Sequence, residues 1–379
     1  MNFDLTQEQQ MIRKTIREFA DEVVAPGAIL RDKTKEFPKE IFKQLADMGM
    51  MGLPFPEEYG GAGADTVSFA IVTEELSRAC ASTGITYSAH ISLGGAPLNL
   101  FGTDEQKQKY LVPVCTGESF GAFGLTEPNA GSDAGGTQTT AKEDGNDFVI
   151  NGNKAFITNA SYAKHLALTA ITDVKDGKKE ISAIIVPTDA EGFSVIDNYE
   201  KMGLNASNTT ELVLENVRVP QENLLGKRGN GFRQFLVTLD GGRIGIGAMA
   251  VGIAQAAFDR ALRYSKERKQ FGKTLSEFQI TQFKLADMAM KIELARTMVH
   301  KAAWLKDQGR AFSKEASMCK LYASEIAMEV ADEAIQIHGG YGYMKEYEVE
   351  RYMRDAKLLE IGEGTSEVQR MVIARHIGC

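Results

Sequence analysis

The spacing of apolar residues divides the chain into three stretches. From Leu5 to about Phe120 the apolar positions recur at helical intervals, and Ile12, Ile16, Phe19 and Val23 fall on one face of a first helix. Thr6 can cap its first turn while Gln9, three residues on, closes a capping box. Further helices are predicted over 39–48, 67–79 and 104–111, with a break at the Gly and Pro residues of 52–63.

After Gly121 the period shortens. Phe148-Val149-Ile150 and Ala155-Phe156-Ile157 flank Asn151-Gly152, which reads as a hairpin turn because Asn-Gly suits positive φ. The runs 166–171 and 181–186 flank a second turn at Asp176-Gly177, and 212–214 and 217–219 add two strands before Pro220. From Gly231 the helical period returns. A long helix is predicted over 278–307, stopped near Gly309. Ser313 caps another, which ends at Gly339-Gly340. The expected architecture is multi-domain α+β: a helical unit over 1–120, a β unit over 121–230 and a helical unit over 231–379.

Composition narrows the function. A chain of 379 residues is too long for one ordinary core, and 43% hydrophobic with 25% charged residues is a globular balance. A net charge of −8 argues against a nucleic-acid surface, yet a few local Arg and Lys can still hold a small anion. Cys80, Cys115, Cys319 and Cys379 form no CxxC pair and the five histidines no HxxxH, so no bound metal is expected. MNFDLTQEQQ has neither a basic start nor an apolar core, so no leader is expected; a bacterial cytoplasmic location is expected, with a mature mitochondrial matrix chain as the alternative. The longest small-apolar stretch, 247–258, is too short for a membrane span.

Several segments can carry chemistry. Gly245-Ile246-Gly247-Ala248-Met249-Ala250 satisfies GxGxxA, but no strand precedes it and it runs into the helical stretch 251–266; close helix packing is its expected role. The run 124–136 (GLTEPNAGSDAGG) is a loop of small, hydroxyl and glycine residues, which can bring N–H groups to a polar ligand or simply turn the chain. Asp240-Gly241-Gly242-Arg243, ERKQFG (267–272) and QIHGGYG (336–342) place Arg or His beside glycines. Glu363 lies between Gly362 and Gly364, before a helical run over 368–376 that Thr365 or Ser366 can cap. Local physics alone makes Glu363 a solvated glutamate in a helix-start loop.

Together, in this order, GLTEPNAGSD, ERKQFG, QIHGGYGY and EGTSE resemble the acyl-CoA dehydrogenase family over essentially the whole chain. LDGGRIGIGA and QFKLADMAM are most similar to short-chain (butyryl) and short branched-chain members. The resemblance implies an N-terminal all-α domain, a middle β-barrel and a C-terminal four-helix bundle, assembled as a homotetramer. It implies FAD-dependent oxidation of short- to medium-chain or branched acyl-CoA thioesters to trans-2-enoyl-CoA, as in fatty acid beta-oxidation. Glu363 matches the base that removes the α-proton while flavin N5 takes the β-hydride; electron-transfer flavoprotein accepts the electrons. Desolvation raises a carboxylate's pKa and makes it a better base for so weak an acid.

Carried over position by position, Phe123, Leu125, Thr126, Gly131, Ser132, Phe156, Ile157 and Thr158 match contacts to the flavin ring. Arg268, Phe271, Gln279, Gln336, Ile337, Gly339 and Gly340 match contacts to the rest of FAD, often across a subunit interface, and Thr365 and Glu367 also match cofactor contacts. Ser132, Asp240, Gly241, Gly242, Arg243 and Gly364 match positions touching acyl-CoA. Phe156 stands where many members have Trp, and Gly362 where straight-chain members usually have Tyr. Isovaleryl-type members share the loss of that ring but have Ala at the position of Glu363 and Glu at that of Gly242. Methyl-branched and slightly longer chains therefore join butyryl as expected substrates. An oxidase-like relative, a monooxygenase-type relative and a non-catalytic binding scaffold are the alternatives.

Overall fold

The computed structural model describes residues 3–197 and 199–379. Helix α1 (Gln7–Phe19) starts where its sequence places it. Thr6 Oγ1 accepts from Gln9 N at 3.2 Å and Gln9 Oε1 accepts from Thr6 N at 3.0 Å. Two orphan donors are thereby satisfied reciprocally. Helices α2 (Ala28–Thr34), α3 (Lys39–Asp47), α4 (Thr66–Ala79), α5 (Ala81–Ala89), α6 (Ala96–Phe101), α7 (Asp104–Gln106) and α8 (Val112–Cys115) follow. The helix expected over 104–111 is α7 continued by wider π-turns to Leu111. Helix α5 was not foreseen, because all its residues are buried and a helix enclosed on every side shows no amphipathic period.

Strands β1 (Phe123–Gly124), β2 (Thr140–Asp144), β3 (Asp147–Thr158), β4 (His165–Lys175), β5 (Lys178–Pro187), β6 (Phe193–Ile196), β7 (Thr209–Pro220) and β8 (Leu224–Leu225) form one sheet. Its order is β6-β7-β3-β2-β4-β5-β8, with β1 beside β4. Phe148, Ile150, Leu168, Ala170, Ile184, Val186, Leu214 and Val217 belong to one apolar cluster fed by the inward faces of β3, β4, β5 and β7.

The hairpin expected at Asn151-Gly152 is not there. β3 runs unbroken through both residues, with a register shift against β7 between Ile150 and Gly152, and the turn lies one element earlier between Asp144 and Asp147. A Cβ on Gly152 would stand 2.5 Å from Thr139 Oγ1, so glycine here admits a crowded bulge and does not reverse the chain. The two strands expected at 212–214 and 217–219 are likewise halves of β7, interrupted by Asn216 at φ +56°. Asp176-Gly177 does turn, with φ +49° and +74° joining β4 to β5.

The last part holds α9 (Gly231–Glu267), a small hairpin β9 (Lys269–Gln270) and β10 (Lys273–Thr274), α10 (Gln279–Asp307), α11 (Ser313–His338), α12 (Val349–Lys357) and α13 (Ser366–Ile377). Helix α9 packs against α4, α10 and α11. It is longer than the apolar run 247–258 suggested, and among the described residues it alone has the length and composition to cross a bilayer, but that apolar stretch is mostly enclosed by the fold. The GxGxxA run lies inside it. Close packing explains such small residues: a Cβ on the nearby Gly252 would meet Glu74 O of α4 at 2.3 Å. Ser313 does not cap α11 through its side chain. It occupies the first helical position, and its hydroxyl donates instead to Asp240 Oδ1 on α9 at 2.9 Å.

Candidate active site

Between α12 and α13 the chain makes a tight, irregular passage. Thr365 caps α13, its Oγ1 accepting from Val368 N at 3.3 Å. Just before it, Glu363 and Gly364 have φ of +54° and +97°. A non-glycine residue in that region is strained by about 1–3 kcal/mol and persists only where its surroundings hold it. Here Gln369 Nε2 donates to Glu363 O at 3.2 Å and to Gly364 O at 2.9 Å, and Lys320 Nζ of α11 donates to Gly364 O at 2.7 Å.

This backbone aims the Glu363 carboxylate at α9. A Cβ on Gly242 would stand 2.1 Å from Glu363 Oε2 and 3.1 Å from Leu93 Cδ2. Glu363 as a whole keeps some exposed surface, yet Oε2 is buried without a hydrogen-bond partner. Burial pushes its pKa up to about 7, opposed by the charges of Lys320 and Arg243. The solvated glutamate that local physics favours is therefore replaced by a desolvated one.

Asp240, Gly241, Gly242 and Arg243 are consecutive residues within α9, not a separate loop. Arg243 is buried, donates to Asp240 Oδ1 at 2.5 Å and to Ser317 Oγ at 3.3 Å, and leaves Nε unpartnered. Burial raises the pKa of Asp240 against the pull of Arg243. Gly241 and Gly242 are buried, and Gly242 puts no side chain under the Glu363 carboxylate. Lys320, fully buried at the back of this group, was not singled out from the sequence. A Lys within the apolar face of a helix was the available signal.

A second group forms at the β unit. Phe123 is buried and stacks on Phe235 of α9 at 4.0 Å, Leu125 is buried beside it, and Ala155 N donates to Thr126 O at 2.8 Å. The loop beyond is shaped by a buried ion pair that the sequence reading also missed. Lys154 Nζ donates to Glu127 Oε1 at 2.8 Å, to Thr169 Oγ1 at 3.2 Å and to Leu125 O at 3.3 Å. Glu127 also accepts from Gln138 N at 2.6 Å, Thr139 N at 3.1 Å and the Thr137 hydroxyl. Burial alone would raise its pKa; Lys154 and these donors hold it down at about 2. Burial lowers Lys154 only to about 8, so the pair is ionised at neutral pH. Gly131 and Ser132 lie exposed at the loop tip. Phe156 is 63% exposed at φ +59°, its ring stacked on Tyr199 at 5.0 Å, while Ile157 is buried and Thr158 half-buried.

A third group lines a groove of about 570 Å³ where Arg268 meets Ile337, Gly339 and Gly340. The Arg268 guanidinium sits 5.7 Å from the Tyr341 ring centroid. A Cβ on either glycine would meet nothing within 4 Å, so a ligand can approach the backbone there. Gln279 and Gln336 are exposed, and Phe271, at the tip of the β9–β10 hairpin, is 94% exposed. Glu367 is exposed in the first turn of α13. None of the groove's lining residues belongs to the Glu363 group or to the Phe123–Phe156 group. The sequence-derived positions thus fall into three separate part-sites on one chain.

Family models for the N-terminal, middle and C-terminal domains of acyl-CoA dehydrogenases match residues 6–118, 122–217 and 229–378. The chain is 61% identical over 378 residues to the probable acyl-CoA dehydrogenase YngJ of Bacillus subtilis, with 100% of both chains covered. A solved structure from work on the electron transferring flavoprotein of Acidaminococcus fermentans superposes with a TM-score of 0.98 at 48% identity, covering 100% of both chains. Butyryl-CoA dehydrogenase from Megasphaera elsdenii superposes with a TM-score of 0.97 at 46% identity, again over 100% of both.

Proposed function

Because the chain belongs to the acyl-CoA dehydrogenase family, we propose that it oxidises the Cα–Cβ bond of short- to medium-chain or branched acyl-CoA thioesters, with Glu363 as the base. The observation that carries this reading is the unpartnered Glu363 Oε2, buried over Gly242 with a pKa of about 7. A carboxylate so placed is part-ionised at neutral pH and far more basic than a solvated glutamate.

The thioester lies along α9 at Gly241 and Gly242. Its arrival displaces the water that still reaches Glu363, and Oε2 takes the α-proton. Negative charge then grows on the thioester oxygen, and the Glu363 backbone N–H donates to it. A positioned base contributes about 10²–10⁴-fold in rate, and an oxyanion donor a comparable amount. The fixed ammonium of Lys320 and guanidinium of Arg243 favour the ionised carboxylate that begins the reaction.

The residues present fit FAD. Thr126, Thr158, the exposed loop tip at Gly131-Ser132 and the exposed Phe156 ring of β3 would hold a flat, polar-rimmed partner. The groove at Arg268, Gly339 and Gly340 suits a phosphate-bearing tail, with an arginine beside backbone that a ligand can approach. When bound there, FAD supplies the acceptor for the hydride that leaves the β-carbon. Phe271 and Gln279 are too exposed to close a site in their own chain, so they face FAD of a neighbouring subunit in a homotetramer. Exposed Ile280, Phe283, Met290 and Leu294 on α10 favour that assembly. Electrons leave to an electron-transfer flavoprotein, and the functional units are 1–120, 121–230 and 231–379.

The test is anaerobic flavin bleaching by a panel of straight and branched acyl-CoAs, run beside Glu363→Gln. Bleaching is expected with butyryl-CoA and with at least one branched substrate. The Gln variant should keep its flavin and bind acyl-CoA but lose turnover by about 10²-fold or more. An absence of bleaching across the panel, or near-normal turnover in the variant, overturns the reading. Rapid peroxide formation without an added acceptor would instead indicate the oxidase-like alternative.

A further inference from the structure

Lys320 is a charged side chain in the interior with a single hydrogen-bond acceptor among the described residues. It is fully buried on α11, and its ammonium, which carries three donors, reaches Gly364 O at 2.7 Å. That carbonyl belongs to the residue after the base, within the two-residue left-handed passage that aims Glu363 at Gly242. Among the described residues, the other side chain holding this passage is Gln369, which reaches the Glu363 and Gly364 carbonyls from α13. Without Lys320, one of the two anchors of a strained backbone is gone, and the Gly364 carbonyl loses its charge-assisted donor.

The charges around it give Lys320 a second effect. Glu363 and Glu360 face it from the α12–α13 connection, Glu325 from one turn along α11, and Arg243 from α9. Among the groups acting on Glu363, Lys320 is the larger of the two positive charges and Arg243 the smaller. A buried cation near the carboxylate favours its ionised form, whereas the burial of the carboxylate favours the protonated one.

We propose that Lys320 is the positioning residue of the base: its ammonium pins the Gly364 carbonyl, so that Glu363 stays in its left-handed conformation with Oε2 over Gly242, and its charge keeps the carboxylate available as a base near neutral pH. This rests on Glu363 being the base. Lys320 touches neither substrate nor cofactor in this scheme and acts only through Glu363.

Two variants of the holoenzyme separate the two effects. Lys320→Met removes both the donor and the charge at similar length; Lys320→Gln keeps an N–H donor and removes only the charge. Each is assayed for kcat and KM across pH, with the flavin-to-protein ratio and melting temperature recorded. In both variants the acidic limb of the kcat/KM profile should move upward by about one pH unit, since a neighbouring cation has been lost. Lys320→Met should also lose about 10- to 100-fold in kcat at its pH optimum with little change in KM, because displacing a reacting group by about an ångström costs that much. Lys320→Gln should recover most of that loss.

A Lys320→Met holoenzyme whose limb is unmoved and whose kcat is within about twofold overturns the proposal. If Lys320→Met does not accumulate as holoenzyme, Lys320→Gln decides: an unmoved limb there overturns it equally. Glu363→Gln, run in parallel, separates the two readings. Full activity in that variant removes the base itself, whereas an inactive Glu363→Gln beside an unaltered Lys320→Met removes only the role of Lys320.

Discussion

Glu363 Oε2 lies so close over the backbone of Gly242 that a methyl group there would stand 2.1 Å from it. The two residues are far apart in sequence, one inside the long helix α9 and the other on the connection before α13. Their contact places the proposed base over the floor of the candidate site.

Gly242→Ala therefore tests that contact. The clash falls on the free end of a glutamate and on Leu93 Cδ2, both side-chain atoms that can move, so the fold and flavin content should be preserved. The carboxylate should be displaced, and turnover should fall by about tenfold or more. Flavin absorbance, melting temperature and kcat of the purified variant check this together.

The protonation of Glu363 should appear in both activity and stability. Its folded pKa is raised from 4.5 to about 7, so the native state holds the proton more tightly than the unfolded chain. Between those values stability falls as pH rises, because ionising a buried carboxylate opposes folding. Activity runs the opposite way, rising through about pH 7 as the base becomes available. Glu363→Gln should melt with wild type at pH 4 and above it at pH 8; equal melting at both would place Glu363 in solvent.

Lys154→Met should weaken the flavin loop without touching the base. It strands the Glu127 carboxylate in the interior, a change that costs about 3–5 kcal/mol in buried pairs. A lower melting temperature and a reduced flavin-to-protein ratio are expected, with the kcat of flavin-loaded molecules much less affected. The stabilising effect of Glu127 itself should be full above about pH 4.5 and be lost progressively as pH falls from there to about 2, since its folded pKa is depressed.

Gly362→Tyr probes the acyl pocket. The atoms nearest a Cβ at this position belong to Leu358, at 3.5 Å or more, so the backbone has room for a side chain. The ring should occupy space beside the base, lowering the ratio of branched-chain to butyryl-CoA activity by about tenfold. Parallel kcat/KM measurements on the two substrates read that ratio directly.

Much of the fold was legible because local rules and tertiary structure agree. The capping box at Thr6 and Gln9, the Asp176-Gly177 hairpin, the stop of α11 at Gly339 and the start of α9 at Gly231 follow from short-range chemistry. Two of the misreadings share one cause. Asn151-Gly152 has turn chemistry, but its neighbours Thr139 and Asn216 make it a bulge; Ser313 has a capping side chain, but Asp240 takes its hydroxyl. In each case a contact distant in sequence overrode a local preference. Helix α5 was missed because it is enclosed on all sides and shows no periodicity.

The sequence by itself determined the order of helical and β units, the family resemblance and the residues to watch, because helix caps, strand runs and glycine-rich segments depend on neighbours a few positions away. Only the tertiary structure decided what Glu363 is. A glutamate between two glycines is solvated unless something encloses it. Here α9 brings Gly242 against its carboxylate, α11 brings Lys320 to the next carbonyl, and α13 brings Gln369 to both. Desolvation by those distant segments raises its pKa to about 7, and desolvation is a property of enclosure that no single stretch of chain carries.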